Sequence, residues 1–279
     1  MSVTESNGFR QWLIESTLPS QSLTDLETAQ FSHSEQEIRI NPDVNVIKIG
    51  GQSIMDRGKQ VVYPVLEEIV SNKERHKMIL CVGGGTRSRH AYSIAIDLDM
   101  PTGVVAKLGG SISSQNVRML AMLLAKDGGV RIEQAQFELL PLLLNNGCLP
   151  IIQGMPPYEY WERPPARGRL PENRTDVGTY LIAEVLGARS AIFIKDEDGL
   201  YTDDPKKNPR AKFISKVSVR ELRELNLKDL PIERKVLDLL EVARHMTQVQ
   251  LINGLKKGHL TKALEGKHVG TIIYADNRL

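Results

Sequence analysis

Cysteine, aromatic residues and long apolar runs are all scarce in this 279-residue chain, and each scarcity closes off a class of protein. The only two cysteines, Cys81 and Cys148, stand 67 positions apart and belong to no CxxC or His-rich context. A disulfide framework or a zinc ribbon is therefore not expected, and both residues read as buried thiols. The six histidines form no HxH or HxxxH pair, so a metal centre held by protein ligands is not expected either. No run approaches the roughly 20 apolar residues of a membrane span. The amino-terminal stretch MSVTESNGFRQWLIES lacks the basic start and apolar centre of a secretory signal. The expectation is a cytoplasmic protein with no membrane segment. Charge of one sign is also missing: 36 Lys and Arg against 34 Asp and Glu leave +2, too balanced to attract nucleic acid at long range. Any anion site must be local.

What remains is the composition of an ordinary globular protein, 41% hydrophobic and 25% charged. Residues 1–40 are polar and rich in Ser, Gln, Thr and Glu, and read as an N-terminal extension; residues 41–279 read as one domain. From residue 44 onward, short strand-like runs alternate with helix-length amphipathic stretches, the pattern of a parallel sheet covered by helices. Strands are predicted at Val46–Ile49, Met78–Val82, Gly103–Ala106, Leu149–Gln153, Ala191–Lys195, Val249–Ile252 and Thr271–Tyr274. Apolar spacing of three and four predicts helices at Arg57–Ser71, Thr86–Leu98, Ser114–Lys126, Gln136–Asn145, Thr175–Gly187, Ser218–Leu225 and Val236–Met246. The alternation indicates an α/β fold.

Four segments carry the chemistry. In Val46–Ser53 an apolar strand runs into Gly50-Gly51-Gln52, where backbone N–H groups can approach a phosphate and Lys48 adds a point charge. In Met78–Arg89 a second strand runs into Gly83-Gly84-Gly85-Thr86, a turn of consecutive N–H groups at a helix start, followed by Arg87 and Arg89. Neither is a P-loop or a GxGxxG fingerprint. The third, Lys195–Pro205, follows a strand and holds the turn dipeptides Asp198-Gly199 and Asp204-Pro205, with Tyr201 between them able to lie against a flat base. The fourth is Arg174-Thr175-Asp176 at a helix start, where Asp176 is either a simple N-cap or the orienter of a lysine and a metal near the phosphates.

The order KIGG, GGGT, RTD, DEDGLYTDDP resembles the amino-acid kinase family, which includes uridylate, aspartate and acetylglutamate kinases, over residues 44–275. The resemblance implies a three-layer α/β/α sandwich around a mostly parallel open sheet of about eight strands, with ATP and Mg2+ at its carboxyl edge. It implies that Lys48, Gly50, Gly51 and Gln52, with Gly83, Gly84 and Gly85, hold phosphates. Lys48 and Asp176 become the catalytic or organising pair. Lys195, Asp198, Gly199, Tyr201, Asp204 and Pro205 become the wall around adenine and ribose. Where uridylate kinases carry an Ala-Asp-x-Met-Gly segment that reads the nucleoside, this chain has Leu108–Asn116, which argues against uridine recognition.

A second resemblance accounts for that departure. VIKIGGQSIMDR, TRSRHAYSI, GMPPY, KDEDGLYT, VLDLL, NGL and GKHVGTII are very similar to segments of molybdenum storage protein subunits, the beta type above all. That family encloses oxomolybdate clusters in a hexameric cage. The resemblance implies a storage subunit that gathers molybdate or tungstate as polyoxometalate with Mg-ATP, in a hexamer of this chain alone or with an alpha-type partner. A tetrahedral oxyanion suits a scaffold of N–H turns, Arg and Lys. Arg87, Arg89 and His90 then become oxyanion donors. Gln115, Gln134, Gln136 and Gln153 are either contacts on a cage wall or helix surface and capping residues. The alternative is a small-molecule kinase with an unidentified acceptor. ATP hydrolysis coupled to oxyanion uptake is left open.

Overall fold

The computed structural model describes residues 37–276 of the chain. The expected extension over residues 1–40 lies outside them except for its last four residues.

Ten strands are described: β1 Val44–Ile49, β2 Lys77–Val82, β3 Gly129–Arg131, β4 Leu149–Gln153, β5 Ser190–Lys195, β6 Leu200–Tyr201, β7 Phe213–Ile214, β8 Lys216–Ser218, β9 Gln248–Asn253 and β10 Thr271–Tyr274. Eight of them form one sheet in the order β3-β4-β2-β1-β5-β9-β10-β8. The pairs from β3 to β9 are parallel, whereas β10 is antiparallel to β9 and parallel to β8. β6 and β7 pair separately as a two-stranded hairpin. Strand β1 lies at the centre, with Lys48 in register with Cys81 of β2 on one side and Phe193 of β5 on the other.

Every residue of β1 is buried, as a parallel strand covered on both faces requires. Alternate residues feed opposite layers. Val44 and Val46 join Ile79, Cys81, Tyr180 and Phe193 on one face. Ile47 and Ile49 join Leu80, Val82, Ile192 and Ile194 on the other. The helices are α1 Lys59–Asn72, α2 Thr86–Asp97, α3 Thr102–Leu123, α4 Leu140–Asn145, α5 Thr175–Val185, α6 Val219–Glu224, α7 Lys235–Glu241 and α8 His259–Leu264. Side chains of α1, α3 and α8 pack into the second layer, and those of α4, α5, α6 and α7 into the first, so the sheet is sandwiched as expected.

Six of the seven expected strands are present, within two residues at each end. The seventh, Gly103–Ala106, is not a strand: it lies in the first turns of α3, which runs 22 residues from Thr102. Its β-branched Val104-Val105 and the pair Gly109-Gly110 read as strand and break. Gly109 is instead a contact residue, because a Cβ there would fall 2.1 Å from the Tyr92 hydroxyl of α2. Helix α2 therefore lies close against α3. The stretch expected as one helix over Gln136–Asn145 is a 3-10 turn, Gln134–Leu139, followed by α4. Helix α7 stops at Glu241 instead of reaching Met246. Both cysteines are free thiols, Cys81 buried and Cys148 partly so.

Candidate nucleotide site

The carboxyl ends of β1, β2 and β5 and the start of α5 meet at one place. After β1 the chain turns through Gly50 and Gly51, closed by hydrogen bonds from Met55 N–H to the Gly50 carbonyl (3.1 Å) and from Asp56 N–H to the Gly51 carbonyl (2.9 Å). The turn after β2 packs directly on it: a Cβ at Gly83 would come 3.0 Å from the Gly51 nitrogen and 3.4 Å from the Lys48 ammonium. The two glycine turns thus form one surface. The N–H groups of Gly51, Gln52, Ser53, Gly84 and Gly85 donate to no acceptor among the described residues. Such a patch of free amides is a ready anion cradle.

The helix behind the second turn does not add its first amide to that cradle. Thr86 N–H donates to Asp56 Oδ2 at 2.6 Å, so α2 is capped by a carboxylate from the loop after β1. The next residue, Arg57, reaches the other way, to Asp196 beyond β5 at 2.6 Å.

Lys48 is 2% exposed. A buried ammonium costs several kcal/mol unless it is paired and hydrogen-bonded. Here Lys48 Nζ lies 2.6 Å from Asp176 Oδ1 and donates to Thr175 Oγ1 at 2.8 Å. Lys195 Nζ lies 3.1 Å from Asp176 Oδ2. One carboxylate at the N-terminus of α5 therefore bridges two lysines from two adjacent strands. Burial opposes ionisation of Asp176, but the ammonium groups of Lys195 and Lys48 outweigh it and hold the carboxyl well below the usual carboxylate range. Asp176 does not cap its own helix.

A cleft of 1550 Å³ opens over these groups. One wall is the loop from Lys195 to Lys207, with Tyr201 edge-to-face on Phe213 at 5.5 Å between centroids. Gly199, Asp204 and Pro205 line it too. Asp198 does not: its carboxylate accepts from Asn253 Nδ2 at 3.0 Å and pairs with Lys256 at 2.7 Å, turned away from the cleft. The hydrogen bond from Lys256 holds that carboxyl below its ordinary value. Gly199 has φ +146°, and a Cβ there would strike Thr271 Oγ1 at 2.3 Å, so the Asp-Gly turn fastens this wall to β10.

The facing wall, Leu225–Glu233, carried no signal in the sequence. Glu233, 11% exposed, accepts from Val177 N–H at 3.1 Å and lies 3.6 Å from Arg174 Nε. Arg89, with no side-chain partner among the described residues, and Arg174 extend the cleft beyond the cradle of free amides.

The other expected oxyanion contacts scatter. Arg87 turns away from the cleft to Gln115 Oε1 at 3.1 Å and to Asn116 Oδ1. His90 is exposed and lines neither cleft. Gln136 caps a 3-10 turn through Glu133 N–H (3.0 Å), and Gln134 donates to the Met155 carbonyl (3.2 Å). Gln115 and Gln153 do come together, with Lys107, Ser114, Arg118, Glu133 and Glu159, around a separate cleft of 370 Å³ against α3. Among the described residues no group of three or more His, Cys, Asp and Glu gathers to hold a metal, and no helix is long and apolar enough to cross a membrane.

Residues 43–253 match the amino acid kinase family. The chain is 48% identical over 262 residues to the molybdenum storage protein subunit beta of Azotobacter vinelandii, covering 94% of this chain and 97% of that one. It is 25% identical to a uridylate kinase of Metallosphaera sedula, covering 82% and 97% respectively. Among solved structures, a uridylate kinase from Archaeoglobus fulgidus superposes with a TM-score of 0.62 at 21% identity, over 82% of this chain and 99% of that one. A UMP kinase from Bacillus anthracis superposes with a TM-score of 0.65 at 19% identity, over 86% and 98%. The chain therefore belongs to the amino acid kinase family and, within it, to the family of the molybdenum storage protein beta subunit.

Proposed function

We propose that this chain is a molybdenum storage subunit that binds Mg-ATP in the 1550 Å³ cleft and, in an oligomer with copies of itself or an alpha-type partner, gathers molybdate as polyoxometalate. The observation that carries the proposal is the 48% identity over 94% of the chain to a molybdenum storage subunit. The cradle of free amides beside the Lys48–Asp176–Lys195 bridge supports its nucleotide half. The amides receive the phosphates, the two ammonium groups neutralise their charge, and Tyr201 offers a face to the base. A magnesium ion typically binds through phosphates and one or two carboxylates. Asp176 fits that role, since each oxygen has a lone pair beyond its lysine bond; the ion would supply charge neutralisation between phosphate oxygens.

Molybdate is cargo, and its place need not be the nucleotide cleft. The 370 Å³ cleft, with Lys107, Arg118, Gln115, Gln153 and Ser114, offers donors to a tetrahedral oxyanion. The site is proposed to work in the cytoplasm, where ATP and molybdate meet.

Purified protein incubated with molybdate and Mg-ATP is expected to carry molybdenum through gel filtration. If no molybdenum is retained at any nucleotide concentration, with or without an alpha-type subunit, the storage reading fails.

A second reading is favoured by Arg89 and Arg174, which line the same cleft beyond the cradle and leave room for an anionic acceptor. Under it the chain is a small-molecule kinase, with Lys48 and Lys195 stabilising the transferred phosphoryl group. Acceptor-dependent release of ADP separates this reading from storage.

A further inference from the structure

The two longer helices that start at the cleft, α2 and α5, both begin with a carboxylate borrowed from a distant loop. At α2 it is Asp56 on Thr86 N–H, 2.6 Å. At α5 it is Glu233 on Val177 N–H, 3.1 Å, with Arg174 Nε 3.6 Å from its other oxygen. The second case is the more telling, because Glu233 is largely withdrawn from solvent and lines the cleft, whereas Asp56 is exposed and does not. An arginine plus a backbone amide at a helix N-terminus is the donor set that holds sulfate or phosphate in proteins. Here it is filled from within, one residue from the Asp176 carboxylate that bridges Lys48 and Lys195.

We infer that Glu233 is a tethered stand-in for an oxyanion, a specificity-determining residue that keeps the cleft closed to free tetrahedral dianions and open to phosphates carried by a nucleoside. The inference rests on the nucleotide reading of the cleft. A free dianion has to displace a carboxylate whose local concentration is fixed by the fold, and meets its charge. A nucleotide does neither. Its phosphates take the free amides of Gly51, Gln52, Ser53, Gly84 and Gly85, and its nucleoside adds contacts to both walls. In a protein that concentrates molybdate, such selection prevents the cargo from blocking the nucleotide site.

The test is sulfate binding by titration calorimetry, at constant ionic strength and without nucleotide, for the wild type, Glu233→Gln and Glu233→Ala. Glu233→Gln keeps the shape and an acceptor for Val177 N–H but removes the charge. Both variants are expected to bind sulfate at least tenfold more tightly than the wild type, and sulfate is expected to compete with Mg-ATP in both. Sulfate affinity in folded Glu233→Gln equal to or weaker than wild type overturns the inference. A gain confined to Glu233→Ala also overturns it, since new space rather than lost charge would explain the binding. A wild type that binds no Mg-ATP refutes the nucleotide reading separately, because the sulfate comparison does not depend on it.

Discussion

Gly51 and Gly85 touch backbone to backbone: a Cβ added to Gly51 would lie 2.1 Å from the Gly85 nitrogen and 2.6 Å from its Cα. A real Cβ cannot occupy that position, so the two glycine turns can share a surface only while residue 51 is glycine. Gly51→Ala is expected to lose about 2 kcal/mol or more of unfolding free energy, as overpacking against backbone does, together with Mg-ATP binding. Gly258→Ala is the comparison. It faces open space in the left-handed region, at φ +86° and ψ −5°, and is expected to cost only about 1 kcal/mol. Urea denaturation of both variants, with and without nucleotide, decides the matter.

Lys48 and Lys195 divide their labour at Asp176. Lys48→Met leaves Asp176 paired with Lys195, so the fold is expected to survive while the Kd for Mg-ATP rises at least tenfold, the loss of one charge-assisted contact of about 1.5–3 kcal/mol. Asp176→Asn is the more damaging change, because it strands two ammonium groups, one of them buried. About 3 kcal/mol of stability is expected to go with it at pH 7. Equal loss in both variants would contradict this division.

The pH dependence of stability is expected to show two opposed limbs. The folded value for Asp176 lies below the unfolded one of about 3.9, so its contribution is present above that pH and is lost as the pH falls towards the depressed value. Glu233 has the opposite sign. Burial, and then the charge of Asp176, push its carboxyl up. Its contribution is therefore present below the unfolded value of about 4.3 and is lost as the pH rises through the folded one. Asp176→Asn should flatten the acid limb, and Glu233→Gln the limb on the neutral side. Urea midpoints measured from pH 2.5 to pH 8 read both.

Tyr201 provides the test of where the base lies. Stacking on an aromatic ring contributes about 1–3 kcal/mol per base. Tyr201→Ala is expected to raise the Kd for Mg-ATP about tenfold and to leave the Kd for magnesium tripolyphosphate where it was, since the cradle is untouched. A parallel loss for both ligands would place the tyrosine's role elsewhere.

The parts of the fold legible from sequence were those with local signals. Apolar strands running into Gly50-Gly51 and Gly83-Gly84-Gly85 announce themselves, and so does the turn chemistry of Asp198-Gly199. The start of α3 was illegible because its close contact depends on what is missing at Gly109, an absence that also marks turns. Helix α8 and strands β3 and β8 are too short for periodicity to register. Within the site, Lys48 and Asp176 were placed by motif and are in contact. Asp198 was placed on the cleft wall, but its direction is set by Asn253 of β9, 55 residues away. Glu233 left no trace. It sits 56 positions from Val177, in a Pro-Ile-Glu-Arg-Lys stretch with no motif, and only the folded chain brings it to α5.

The strands at the two ends of the eight-stranded sheet, β3 and β8, are three residues each. An edge so short offers a neighbouring chain very little to pair with, which guards against runaway sheet growth. Any broad contact with a second chain then falls to the helix-covered faces of the sandwich rather than to the edges of its sheet.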